Sequence, residues 1–184
     1  MLAAWLVAAV NIGSSGALAR SPIPPPAIAV GLTIVLLLLL RVSRAARAAA
    51  WSLGPRALVA FHAVRIAAGA YFLVLSTRGT LPGEFAVPAG WGDIVVGTAA
   101  LIVALRCIPV RTSGQRIALL TWNTVGLIDI LMVLANGARL FIGDPAVAAP
   151  FTTLPLALLP TFVVPAVIVS HVLLFASPTR ERGL

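Results

Sequence analysis

At 184 residues the chain has the length of one domain. Sixty per cent of its residues are apolar and 10% are charged, and the mean hydropathy is +1.07; soluble domains run at about 45–50% apolar and about 25% charged. That balance excludes a water-soluble globular protein and, because disorder needs low hydrophobicity, an unfolded chain. The expected class is an all-α, polytopic integral membrane protein.

A crossing helix needs about 20 mostly apolar residues. Six segments qualify in chain order, at about 2–18, 25–40, 57–76, 91–108, 117–136 and 154–176. Ala17-Leu18-Ala19 has the small-x-small form of a signal-peptidase site. No Lys or Arg precedes it, so the first segment is expected to remain as a span; its cleavage leaves five.

The net charge is +8, from 13 Arg, no Lys and 5 acids. In a soluble protein this would point to nucleic acid; in short loops it sets membrane orientation. Nine arginines fall in alternate connections and the C-terminal tail (41, 44, 47, 56, 106, 111, 116, 180 and 182), against three at 20, 78 and 139. The positive-inside rule then gives an N-in/C-in protein, expected in a bacterial inner membrane with no nucleic-acid partner. Residues 41–53 (RVSRAARAAAWSL) read as a basic interfacial helix on the inner leaflet, with Arg41, Arg44 and Arg47 on anionic lipid headgroups. The single cysteine, Cys107, excludes an internal disulfide and any CxxC site.

Two outer connections, 78–92 (RGTLPGEFAVPAGWG) and 138–153 (ARLFIGDPAVAAPFTT), are rich in Gly and Pro, so neither is expected to be regular helix throughout. VLSTRGTLPGEFAV and VLANGARLFIGDPAV also share a faint likeness at a spacing near 60, which would make spans three–four and five–six two copies of one hairpin.

Ionisable residues within spans are costly and face the bundle interior. They are His62, Arg65, Asp93, Asp129 and His171, with Asn123 beside them. His62 and Arg65 are three apart and share a face, as do Trp122, Gly126 and Asp129. Arg65 and Asp129 differ by about one turn in depth and are expected to pair. His62, Asn123 and His171 fall at similar depth on three helices. Asp93 is expected in the first turn of span four, as a helix cap or outer gate. In span six, Pro160 and Pro165 free the carbonyls of Leu156 and Thr161, which need other partners.

No Walker loop, HExxH or GxSxG is present, and no metal site or catalytic residue set is expected. The leading functional expectation is transport of a small solute, or proton-coupled movement, through Arg65, Asp129, Asn123, His62 and His171. The alternatives are a b-type haem with His62 and His171 as axial ligands, and a non-catalytic subunit of a homo-oligomer or larger membrane complex.

Overall fold

A computed structural model describes residues 2–177, all of whose regular elements are helical. The C-terminal arginines 180 and 182, part of the orientation argument, lie outside the described residues. The chain runs α1 (Leu2–Ser14), α2 (Pro25–Val42), α3 (Arg44–Trp51), α4 (Gly54–Phe61), α5 (Val64–Thr77), α6 (Gly83–Arg106) and α7 (Ser113–Gly143). A 3-10 helix (Pro145–Thr152) and a π-helical turn (Leu159–Val163) then lead into α8 (Val164–Ala176).

Five stretches are long and apolar enough to cross a membrane: α2, α4 with α5 (Gly54–Thr77), α6, α7, and the π turn with α8 (Leu159–Ala176). The sixth expected span differs. α1 has 13 residues and rises about 20 Å, against a hydrocarbon core of about 30 Å. It packs beside the start of the last of these stretches and the turn before it. A side chain at Gly13 would press on Leu154 and Ala157, and Trp5 reaches Thr161.

The burial pattern is inside out. His62, Asn123 and His171 are fully buried, while Val42, Leu105 and Ile142 are 76%, 74% and 85% exposed. Such an apolar exterior belongs in lipid.

Local sequence explains the helix ends. α2 opens on Pro25 and Pro26, whose missing N–H groups cost nothing in a first turn. Ser43 breaks the chain into extended backbone and its hydroxyl caps α3 at Ala46 N. α3 is the amphipathic basic helix expected over 41–53. Its Arg47 folds back to donate to the carbonyls of Leu40 and Arg41, capping α2, while Arg41 and Arg44 are exposed. α5 stops at Gly79, whose positive φ of 68° turns the chain while Thr80 N bonds back to Leu75 O. Thr112 and Gln115 form a capping box on α7.

The two Gly/Pro-rich connections differ: 138–153 passes from α7 into a 3-10 helix, as expected of an irregular segment, whereas 78–92 is more helical than expected. Helix α6 begins at Gly83 and runs through Pro88, so most of 78–92 is helical. The two halves are not copies: GEFAV forms the first turns of α6, whereas GDPAV ends α7 and opens a 3-10 helix.

α5 and α6 make the most intimate pair. A Cβ on Gly69 would strike the carbonyl of Gly90, and one on Gly97 would lie 3.0 Å from Ile66 N. Small residues let the two backbones touch. One apolar cluster, including Val59, Ala100, Leu119 and Leu174, fills the end of the bundle nearer α3. Another, including Phe72, Phe85, Phe141 and Phe151, fills the opposite end. The buried polar residues lie between them in every span.

Candidate functional site

The polar layer has two parts. The first is built on Arg65, 1% exposed, which projects from the first turn of α5. Its Nε donates to Asp93 Oδ1 at 2.6 Å, its Nη1 to Gly126 O at 3.1 Å, and its Nη2 to Asp129 Oδ2. One guanidinium thus ties α5, α6 and α7 together. The Arg65–Asp129 pair is the one expected from depth. Asp93 is a correction: it is the eleventh residue of α6, buried at mid-helix, and caps nothing. The reason is that α6 starts eight residues before its expected beginning at 91, because the apolar interior tolerates Gly and Pro within helices.

One positive and two negative groups leave the cluster with a formal charge of −1. Asp129 is the less enclosed partner, its side chain 22% exposed against 2% for Arg65. Its carboxylate lies against the backbone of Gly92, where any Cβ would collide with Oδ1.

The second part is a histidine pair. Hydrogen bonds N to Val59 O at His62, and to His62 O at Arg65, skip only three residues, so the helix tightens to 3-10 geometry between α4 and α5. In such a turn residues three apart eclipse, which aims His62 and Arg65 the same way. The imidazoles of His62 and His171 pack with centroids 4.2 Å apart and planes at 50°, and Trp122 stands edge-on to His62 at 5.0 Å.

The neighbours set the tautomers. Asn123 Nδ2 donates to the carbonyl of His171, so its Oδ1 is the acceptor, 2.8 Å from His171 Nδ1, which carries the proton. Ser170 donates to Val167 O, so its oxygen accepts from His62 Nε2 at 2.9 Å. His62 Nδ1 and His171 Nε2 are left buried with no partner among the described residues. Ser170 was not expected in the site; its place beside His171, on the helix facing His62, is visible only in the fold.

Gly126 joins the two parts. Its carbonyl accepts from Arg65, and a Cβ there would lie 2.7 Å from His171 Cε1. All five expected residues, His62, Arg65, Asn123, Asp129 and His171, therefore meet in one layer, with Asp93 and Ser170 added. Axial ligation of a haem by both imidazoles places the macrocycle between them; here the rings touch, so that role requires them to separate. Among the described residues no group of three or more metal-ligating side chains occurs.

The carbonyls freed by proline are answered from within the protein. Trp5 Nε1 donates to Thr161 O at 2.9 Å and its ring packs on Phe162. Leu159 N takes Leu156 O. Pro88 frees Glu84 O in the same way, and Asn136 Nδ2 donates to it at 3.0 Å.

No curated protein and no solved structure matches the chain. Residues 24–177, which include α2 to α8 and the whole polar layer but not α1, match the family described as Domain of unknown function (DUF8737), and the chain belongs to that family.

Proposed function

We propose that the protein moves a small solute, coupled to protons, across a bacterial inner membrane. The observation that carries this reading is Arg65, buried between Asp93 and Asp129 on two other helices. Buried ion pairs are poor sources of net stability. This one also carries a surplus negative charge, which a proton or a cationic solute neutralises. Either arrival changes what Arg65 must hold, and Arg65 holds three helices. The 3-10 joint at His62 and the π turn at 159–163 supply irregular backbone beside the layer, a recurring feature of functional hinges.

In this reading the arginine-rich connections at 41–56 and 106–116 face the cytoplasm, with Arg41, Arg44 and Arg47 near anionic lipid. The C-terminus is then inside. α1, packed against Leu154, Ala157 and Phe162, then lies toward the outer face.

The test is uptake in proteoliposomes carrying a proton gradient, with a panel of labelled small amines, carboxylates and sugars. Wild type is expected to take up at least one of them faster than protein-free vesicles, and Asp129→Asn to insert normally and lose that uptake. Full flux in Asp129→Asn, or none in wild type, overturns the reading.

A further inference from the structure

A cavity of about 60 Å³ lies directly against the ion cluster, on the side away from the histidines. Among the described residues Arg65 and Asp93 are its only charged walls; the rest is apolar, with Phe72, Phe85, Phe141 and Phe151 among its lining. The four phenyl rings form one group around Phe151, with centroids 5.3 to 6.4 Å from it. A single water needs about 10–15 Å³, and an engineered cavity of about 150 Å³ holds benzene. The space therefore takes the head and first carbons of a small molecule.

We propose that this cavity binds a small alkylammonium ion, with its ammonium on Asp93 and its carbons among the phenylalanines. The inference rests on the solute-path reading and names its substrate class. Three observations select a cation. The cluster is formally −1. Arg65 is already engaged by two carboxylates and a carbonyl. Asp93 gives Arg65 only Oδ1; its Oδ2 takes no hydrogen bond among the described residues, on a side chain only 6% exposed. A carboxylate oxygen that takes no hydrogen bond from the protein, on a side chain lining a cavity, is a strong acceptor for an N–H of an ammonium group. The phenyl faces add attraction for a cation and none for a carboxylate.

The probe is propylammonium, titrated by calorimetry into the full-length protein in lipid nanodiscs, with 1-propanol and propionate as neutral and anionic counterparts of similar size. Saturable propylammonium binding is expected, not displaced by either counterpart, and at least tenfold weaker in Asp93→Asn. Absence of saturable binding, displacement by 1-propanol or propionate, or unchanged affinity in Asp93→Asn overturns the proposal. If Asp93→Asn does not fold, Phe151→Leu keeps the wall apolar and removes one aromatic face; severalfold weaker binding is expected, and unchanged affinity overturns it. Binding without flux removes the transport reading and leaves this site standing. Flux of another solute without amine binding does the reverse.

Discussion

Arg65 reaches Asp93 at 2.6 Å because Gly69 and Gly90 let α5 and α6 touch backbone to backbone at the same level. The bond therefore depends on packing as much as on charge. Removing the cation leaves two carboxylates facing each other in an apolar layer. Arg65→Met is expected to cost about 3–5 kcal/mol, the usual penalty for breaking a buried pair. The triple variant Arg65→Met with Asp93→Asn and Asp129→Asn is expected to recover most of it. Thermal unfolding in detergent measures both. A triple variant no more stable than the single one would show that the charges are not the cause.

The glycines around the site are expected to divide by what a methyl group would meet. At Gly92 it meets Asp129, and at Gly126 it meets His171 and Val96. Each Gly→Ala is expected to destabilise by about 1–3 kcal/mol through overpacking. Gly31, mid-helix in α2, has nothing within 4 Å. Gly31→Ala is expected to be neutral or to stabilise by up to about 1 kcal/mol. Equal unfolding temperatures for all three variants would contradict the packing described.

Trp5→Phe keeps the stacking on Phe162 and deletes the hydrogen bond to Thr161 O. A loss of about 0.6–2 kcal/mol is expected, the range measured for interhelical bonds in membranes. Asn136→Leu removes the corresponding bond to Glu84 O, which is solvent-exposed. That variant is expected to stay within about 0.5 kcal/mol of wild type. The contrast in unfolding temperature between the two is the readout.

Orientation is testable by thiol labelling. Cys107 is buried, so the native chain is expected to resist an impermeant maleimide. Gly143→Cys, at an open position at the end of α7, is expected to label in intact spheroplasts. Arg111→Cys, exposed in the connection before α7, is expected to label only after permeabilisation. The opposite order reverses the orientation.

An absorption spectrum, oxidised and then dithionite-reduced, separates the redox alternative. With His62 and His171 in ring contact, a spectrum of protein alone is expected. A Soret band lost in both His62→Ala and His171→Ala would make the pair haem ligands.

Several features were legible from residue order because they depend on local composition. The helical membrane class follows from apolar run length, and the five helices long and apolar enough to cross lie near the expected positions. The Arg65–Asp129 pair followed from depth alone, since an arginine is long enough to forgive an error of one turn. Asp93 was misplaced because Gly and Pro between 83 and 92 read as breakers. That rule comes from water, where a broken helix finds solvent partners. Within a span the backbone has no such alternative and the helix continues; Pro88 sits at its exposed start, where Asn136 takes the one carbonyl that it frees.

The chain's composition by itself determined that the protein is helical and apolar outside, and which few polar side chains would have to be buried. Only the tertiary structure decided what those side chains do for one another. Arg65 has a second carboxylate, the two imidazoles pack on each other with Ser170 and Asn123 as their partners, and a cavity opens beside Asp93. Burial is a property of each segment's own hydropathy. Partnership depends on the rotation of one helix against another, and that is set by a few small residues such as Gly69, Gly92 and Gly126, whose effect lies in the side chains they lack.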